Sequence, residues 1–227
     1  MGGPNPARSG RLSEPRRVLT RYNCAMKRLL VLAAALAAAS FVFGQKQIGG
    51  VSSLGNKKPL KGEEVAILET DAGKIVLRFF NDKAPRHVAN FKKLANSKFY
   101  DGTYFHRVIP GFMIQGGDPN TKNANPSDDG MGGPKWSVKA EFNDIKHTAG
   151  ILSMARSQDP DSAGSQFFIM DGDAPFLNGK YSAFGIVVSG LDVVRKIVKA
   201  PTVQDGNENS RPVKPVHIKT ARIVKWK

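Results

Sequence analysis

The sequence is poor in the residues that bind metals or form covalent intermediates. It contains one cysteine, Cys24, among 227 residues, so a disulfide within the chain is excluded. Its four histidines show no His-x-x-x-His spacing, and no cysteine supports them as ligands. We therefore predict that the protein holds no metal ion and needs no cofactor.

Motifs of several enzyme classes are also missing. Ser165 lies in Gly-Ser-Gln and not in the Gly-x-Ser-x-Gly turn that exposes a hydrolase nucleophile. There is no glycine-rich phosphate-binding loop, and no repeat with a period of about 20–50 residues. Asp159-Pro160-Asp161 resembles the start of a calcium loop, but the glycine and the glutamate of an EF-hand loop are out of register. These absences argue against a serine hydrolase, a nucleotide-dependent enzyme and a calcium sensor.

Basic residues outnumber acidic ones by 34 to 19, which gives a net charge of +15. Residues 1–44 hold seven of the basic residues and one acid, so the remainder has 27 against 18, or +9. The basic residues are scattered singly or in pairs, and no nucleic-acid-binding module is recognisable. Such a surface attracts anions weakly and in a salt-dependent way. We predict that nucleic acid is not a partner.

Residues 26–44 have the pattern of a signal peptide. Met26-Lys27-Arg28 supplies a short positive region, and a mostly apolar stretch follows to Phe43. This stretch is shorter than the roughly 20 residues that span a bilayer. We expect cleavage after Gly44, or alternatively after Ala39, and hence an exported protein, periplasmic or extracellular, without a membrane anchor. The alternative is a cytosolic protein with a buried helix here, against which the lack of amphipathic spacing argues.

Three further segments are distinguished by composition. Residues 1–25 precede the signal peptide, and we hypothesise that they are an upstream extension, with translation starting at Met26. Residues 45–62 are rich in Gly, Ser, Lys and Pro, which predicts a flexible linker. Residues 63–227 are long enough for one folded domain.

Within this domain, periodicity predicts a mainly β structure with two helices. Residues 84–97 and 191–198 have helical spacing of apolar residues, and residues 118–134 are predicted to be a loop. The predicted strands are 65–70, 74–80, 104–108, 112–115, 151–155, 166–170, 183–188 and 216–226. About eight short strands separated by turn signals suggest a closed antiparallel barrel.

Four sequence blocks occur in order along this domain: FHRVIPGFMIQGGD at 105–118, GILSMA at 150–155, GSQFFI at 164–169 and FLNGKYSAFG at 176–185. Together they resemble the motifs of the cyclophilins, over about residues 64–226. The resemblance implies a closed eight-stranded antiparallel β-barrel capped by two α-helices. It also implies peptidyl-prolyl cis-trans isomerase activity in a groove on the outer face of the barrel.

The resemblance further implies which residues form the site. Arg107 and Gln115 are the catalytic candidates, and His106 is a supporting residue. The substrate-binding candidates are Phe112, Met113, Ala155, Arg156, Gln166, Phe168, Phe176, Leu177 and Tyr181. Phe176 stands where animal members have tryptophan, Tyr181 where they have histidine, and Arg156 where the family has asparagine. We expect activity to survive these changes and cyclosporin to bind weakly.

An arginine beside an apolar pocket also suits the reaction on chemical grounds. Rotation about an X-Pro bond is slow because partial double-bond character sets a barrier of about 18–20 kcal/mol. A catalyst needs only to favour the twisted amide over both planar forms. An arginine donor, which is always charged, can stabilise the prolyl nitrogen of that twisted state. Without the match to these blocks, Arg107 would be predicted as a surface residue and Phe168 as a core residue.

Two functional classes therefore remain. The first is an isomerase that acts on proline-containing peptides and on exported or unfolded client proteins. The second is a proline-peptide binding module or chaperone with little turnover. Arg107 favours the enzyme, because a pure binder needs no charge at the rotating bond. A nucleic-acid-associated protein is disfavoured by the signal peptide and by the lack of aromatics interleaved with basic residues. We expect a monomer.

Overall fold

A computed structural model describes the fold of Gly2 and of residues 58–206 and 208–227. The predicted extension and signal peptide, and the linker as far as residue 57, lie outside the described residues, apart from Gly2. Among the helices in the described part of the chain, none combines the length and the apolar character needed to cross a bilayer.

The described residues contain ten β-strands, eight of them in one antiparallel sheet. The strands are β1 Glu64–Thr70, β2 Gly73–Phe79, β3 Arg107–Ile109, β4 Met113–Gly116, β5 Ile151–Met154, β6 Phe167–Met170, β7 Ala183–Ser189, β8 Thr202–Asp205, β9 Glu208–Pro212 and β10 Ile218–Lys225. The large sheet has the order β10-β1-β2-β7-β5-β6-β4-β3, and β8 pairs with β9 in a separate two-stranded sheet. The predicted strands correspond to the eight strands of the large sheet, whereas the β8–β9 hairpin was not predicted.

The large sheet curls until its two edges meet, but β3 and β10 do not form a ladder with each other. Instead, the segment just before β3 joins the start of β10. Gly102 N donates to Ile218 O (2.8 Å), Ile218 N donates to Thr103 O (2.7 Å) and Phe105 N donates to Val216 O (3.1 Å). The predicted closed barrel is therefore better described as a curled sheet whose seam is joined by a few backbone hydrogen bonds outside the strands.

Two α-helices are found in the described residues, α1 Pro85–Asn96 and α2 Leu191–Val198, as the apolar spacing predicted. Pro85 occupies the first turn of α1, where its missing N–H costs nothing. The Glu141 carboxylate, distant in sequence, accepts hydrogen bonds from the free backbone N–H groups of Arg86 (3.0 Å) and His87 (2.9 Å). The start of α1 is thus fixed by a tertiary contact and not by a local cap.

Apolar side chains form two clusters, which we call the inner core and the outer cluster. The inner core includes Leu68, Leu77, Phe91, Tyr100, Phe105, Ile114, Leu152, Phe167, Ile169 and Phe184. The outer cluster consists of Phe80, Met113, Ile151, Phe168, Met170, Ala174, Leu177, Ala183 and Ile186. Neighbouring residues of one strand fall into different clusters, because successive side chains point to opposite faces of a sheet. The inner core fills the curled sheet, and the outer cluster lies on its outer face.

Candidate active site

The site begins with the β3–β4 hairpin, whose turn contains Pro110 and Gly111. Gly111 has a φ of 73°, in the left-handed region that glycine adopts without strain. The turn is closed by a hydrogen bond from Phe112 N to Ile109 O (3.0 Å) and anchored by one from Gly111 N to the Asp171 carboxylate (2.8 Å). This turn sets the register of the hairpin and so decides which side chains of β3 and β4 are neighbours.

The register aligns polar and aromatic site residues in one row across four strands. Arg107 on β3 lies opposite Gln115 on β4, and Gln115 lies opposite Phe168 on β6. Phe168 in turn lies opposite Ser153 on β5. Side chains directly opposite in an antiparallel pair are close enough to interact. The two predicted catalytic residues are therefore neighbours on the outer face.

A cavity of about 140 Å³ lies beside this row. Its lining residues are Arg107, Phe112, Met113, Gln115, Ala155, Arg156, Phe168, Leu177 and Tyr181. All nine were predicted as site residues from the sequence. Met113, Phe168 and Leu177 belong to the outer cluster, so the floor is apolar while Arg107 supplies a cation at the wall.

A chain of side-chain hydrogen bonds holds the polar wall. Arg107 Nη1 donates to Gln115 Oε1 (3.4 Å), and Gln115 Nε2 donates to Gln166 Oε1 (3.1 Å). Gln166 Nε2 donates to the carbonyl oxygens of Gly130 and Gly132, both at 2.8 Å. Gln166 thus connects the site to the loop that follows β4, and Gln115 has both ends of its amide engaged.

Glu208 forms a bidentate ion pair with Arg107. Arg107 Nε donates to Glu208 Oε2 and Arg107 Nη2 donates to Glu208 Oε1, both at 2.8 Å. The hydrogen bonds from Arg107, aided by its charge, hold the pKa of the Glu208 carboxyl below its usual value. The carboxylate is therefore ionised at neutral pH. Glu208 begins β9, which packs on β3.

A second cavity, of about 370 Å³, adjoins the first. The two share Gln115, Ala155 and Arg156 in their linings, so they form one continuous groove. Gln166 lines only the larger cavity. The other lining residues of the larger cavity are Gly130, Met131, Gly132, Gly133, Pro134, Trp136, Ser157, Ser162, Gly164 and Ser165.

Arg156 and Tyr181 form the opposite rim of the smaller cavity. The Arg156 guanidinium lies 4.6 Å from the centre of the Tyr181 ring, and it donates to the carbonyl oxygens of Lys180, Ser157 and Gln158. Tyr181 also contacts the edge of Phe168. Arg156 is thus bound to backbone oxygens, and its charge contributes to the field of the groove.

Two predicted residues lie outside the cavity linings. Phe176 is 63% exposed and its ring packs against Phe112, with the ring centres 5.6 Å apart. His106 is buried, and neither ring nitrogen has a hydrogen-bond partner among the described residues. Burial lowers the pKa of His106 to about 4, so its ring is neutral at neutral pH. His106 therefore lies next to Arg107 in sequence without contributing to the groove wall.

His147 supports the site from beneath. Its ring stacks near Phe168, with the centres 6.1 Å apart, and its Nε2 lies 2.9 Å from Ser153 Oγ. Burial lowers the pKa of His147, which keeps the ring neutral beneath the apolar floor. His147, Ser153 and Glu208 were not predicted as site residues. Nothing in the local sequence marks Ser153 or His147, whereas Asp205-Gly206 is a recognised hairpin signal just before Glu208.

The described residues contain no group of three or more His, Cys, Asp or Glu side chains arranged to hold a metal ion. What the groove offers is an apolar floor, the guanidinium groups of Arg107 and Arg156 on opposite sides, and amide groups that can hydrogen-bond a peptide backbone. Such a site can bind and polarise a peptide bond.

Comparisons with known proteins agree with this geometry. A sequence model of the family described as "Cyclophilin type peptidyl-prolyl cis-trans isomerase/CLD" matches residues 65–223. A probable peptidyl-prolyl cis-trans isomerase of Brucella abortus is 45% identical over 177 residues, which cover 76% of this chain and 88% of that protein. Peptidyl-prolyl cis-trans isomerase B of Bacillus subtilis is 44% identical over 137 residues, which cover 60% of this chain and 90% of that protein.

Solved structures give the same result. A cyclophilin-type peptidyl-prolyl cis-trans isomerase of Cryptosporidium parvum, solved in the presence of the dipeptide Ala-Pro, superposes with a TM-score of 0.63 at 32% identity. The superposition covers 71% of this chain and 99% of that one. A cyclophilin of Hirschia baltica superposes with a TM-score of 0.60 at 26% identity and covers 75% and 77% of the two chains. The predicted family, fold and enzyme class are confirmed: this chain belongs to the cyclophilin-type peptidyl-prolyl cis-trans isomerases.

Proposed function

We propose that the enzyme accelerates rotation of X-Pro bonds in exported or unfolded proteins, with Arg107 stabilising the twisted amide. The observation that carries this proposal is the position of the Arg107 guanidinium in the wall of a cavity with an apolar floor. The floor holds the proline ring, and the part of the peptide on the other side of the bond turns. No covalent step and no proton transfer is required.

The groove environment strengthens the effect of the charge. In the twisted state the prolyl nitrogen loses amide resonance and becomes pyramidal, so it gains a lone pair that can accept a hydrogen bond. A guanidinium donor there stabilises the twisted state more than either planar form, which is the requirement for a faster rate. The apolar side chains Met113, Phe168 and Leu177 exclude water beside this donor, and the field of the charge is therefore less screened than in bulk solvent.

The proposed substrates are proline-containing peptides and unfolded client proteins. The Cryptosporidium parvum relative was crystallised with Ala-Pro, which supports a proline dipeptide as the minimal ligand. Cyclosporin is proposed as a weak ligand, because Phe176 offers an aromatic ring without the N–H donor of an indole. We also propose that the enzyme is a monomer, which light scattering after size-exclusion chromatography would test.

Export is proposed from residues 26–44 alone. If the chain is exported, the protein recovered from a bacterial periplasm or culture medium begins at Gln45, or at Ser40 for the alternative cleavage. N-terminal sequencing distinguishes these results, and an uncleaved protein confined to the cytosol would refute export. Mass spectrometry of the precursor tests the start at Met26, since a peptide from residues 1–20 would contradict it.

The mechanism is tested by replacing Arg107. We expect Arg107→Ala to lower kcat/KM on an X-Pro tetrapeptide by about 100-fold or more, the scale seen when a preorganised donor is removed. Circular dichroism and denaturant unfolding should show that the fold is retained. Arg107→Lys should recover little activity, because an ammonium lacks the rigid fork of donors.

Arg222 provides the matched control. Arg222 lies on β10 and forms a two-point ion pair with Asp101, as Arg107 does with Glu208, but it is outside both cavity linings. Arg222→Ala should therefore leave kcat/KM unchanged. If Arg107→Ala retained the kcat/KM of the unmodified enzyme, the electrostatic role of Arg107 would be wrong even though the chain is an isomerase.

A further inference from the structure

We infer that Glu208 is a positioning residue, which fixes the Arg107 guanidinium in the orientation that catalysis requires. The inference rests on the proposed role of Arg107. Its basis is the two-point contact between a carboxylate of the β8–β9 hairpin and the side edge of the guanidinium, both distances being 2.8 Å. Contacts of this kind between charged planar groups are short, directional and stronger than neutral hydrogen bonds.

The contact uses the part of Arg107 that the substrate does not need. A guanidinium has five N–H donors. Glu208 takes one on Nε and one on Nη2, and Gln115 takes one on Nη1, so three are engaged. The two remaining donors are on Nη1 and Nη2, at the end of the side chain. Arg107 lines the cavity while it is paired, so the carboxylate leaves a donor edge available to a bound peptide.

Glu208 is the main restraint on Arg107. The hydrogen bond to Gln115 is long, at 3.4 Å, and the centre of the Phe112 ring is 5.9 Å from Arg107 Cζ. With these contacts alone, the Arg107 side chain, which is one-third exposed, would sample several rotamers. A donor must already be in place to contribute fully to the transition state. Two short bonds to one carboxylate define the plane of the guanidinium as well as its position.

The opposite possibility is that Glu208 competes with the substrate for Arg107 and so inhibits the enzyme. The two possibilities predict opposite changes in kcat/KM when Glu208 is removed. If Glu208 positions Arg107, its removal lowers kcat and leaves KM nearly unchanged, because peptide binding depends mostly on the apolar floor. If it competes, its removal raises kcat/KM.

The experiment measures kcat and KM separately, by NMR line-shape analysis of a proline peptide at several concentrations, on the full chain. We expect Glu208→Ala to lower kcat by about tenfold with KM within about twofold, the pattern expected when a reacting group is misplaced. Glu208→Gln keeps one acceptor oxygen and should lose only about threefold. The control is Glu69→Ala, because Glu69 is equally exposed (45% against 44%) and paired with Lys74, and neither residue lines the cavities. It should change neither constant.

Two further measurements separate positioning from a structural effect. In the Arg107→Ala background, Glu208→Ala should have no additional effect on kcat, since the residue would act only through Arg107. The Nε–H resonance of Arg107, assigned from its loss in Arg107→Lys, should shift and exchange faster with water in Glu208→Ala.

The outcomes are distinguishable. An Arg107→Ala enzyme with full activity would refute the proposed mechanism itself. A large loss in Arg107→Ala, combined with unchanged or increased kcat in Glu208→Ala, would refute only the positioning role. An equal loss for Glu208→Ala in both backgrounds would also refute it.

Discussion

Phe167 and Phe168 are neighbours on β6 but belong to different regions of the molecule. Phe167 is fully buried in the inner core, where its ring meets the rings of Phe91, Tyr100 and Phe105. Phe168 lies in the outer cluster and forms part of the groove floor. The same type of side chain thus fills the core on one face of the sheet and lines a cavity on the other.

The difference lies in what covers each region. The inner core is enclosed by the curled sheet and the two helices, so its apolar surface is removed from water when the chain folds. Within the described part of the chain, neither α-helix contributes a side chain to the outer cluster, and the cavity beside it is also lined by the charged side chains of Arg107 and Arg156. Apolar surface that folding leaves accessible next to a fixed charge is what a ligand can use. The apolar-floored cavity therefore lies on the outer face of the sheet, beside Arg107.

The largest difference in kcat/KM is expected between the variants Phe167→Ala and Phe168→Ala. Both remove a ring that is at most 5% exposed, so each should lower the free energy of unfolding by about 3–5 kcal/mol. Only Phe168→Ala should lower kcat/KM of the folded protein, by about 100-fold, because it removes the floor of the cavity. Denaturant titration and the tetrapeptide assay, corrected for the folded fraction, give the two quantities.

If Phe167→Ala fails to fold, Phe167→Leu and Phe168→Leu provide the same comparison at a cost of about 1–2 kcal/mol. Equal losses of kcat/KM at both positions would contradict the prediction that the outer cluster contributes to activity and the inner core does not.

Acid should lower stability before it affects catalysis. Burial lowers the pKa of His106 from 6.5 to about 4, with a further contribution from Arg107, while Asp118 and Asp205 oppose the shift. The unfolded chain then binds a proton that the folded chain excludes, so stability is complete above about pH 6.5 and is lost as the pH falls towards 4. We expect the free energy of unfolding to be about 2 kcal/mol lower at pH 5 than at pH 7 through His106.

The control for this prediction is His106→Phe, which should reduce the pH dependence because it removes the imidazole that titrates. Over the same proteins, kcat/KM between pH 6 and 8 should stay within about twofold, since arginine is permanently charged and no acid–base step is proposed. A stability that is flat from pH 7 to pH 5 would contradict the assigned pKa.

The smallest effect is expected at Phe176, which is 63% exposed at the edge of the outer cluster. Phe176→Ala should change the free energy of unfolding by less than about 0.5 kcal/mol and lower kcat/KM by about twofold. Phe176→Trp adds an indole N–H donor and should tighten cyclosporin binding by about fivefold, as measured by calorimetry. A stability loss above 1 kcal/mol in Phe176→Ala would show that the outer cluster extends further than the groove floor.

Much of the fold followed from local patterns. The helix at Leu191–Val198 was predicted with its observed bounds, and the β1–β2 hairpin to within one residue at each end. The β8–β9 hairpin was missed because its strands are short and mostly polar in sequence, so they show no apolar alternation. These strands are held by pairing with each other and by packing on β3. Glu208 was missed for the same reason.

The sequence by itself determined the family, the nine residues around the smaller cavity, and the order of the two helices and the eight strands of the large sheet along the chain, because motif blocks and the two periodicities are local properties. Only the tertiary structure decided how the edges of the sheet meet, which carboxylate caps α1 and which one holds Arg107. These contacts join residues far apart in the chain, 101 positions in the case of Arg107 and Glu208. Strand register and loop packing decide which groups meet. The local sequence around a charged residue such as Glu208 does not show which distant side chain it will contact.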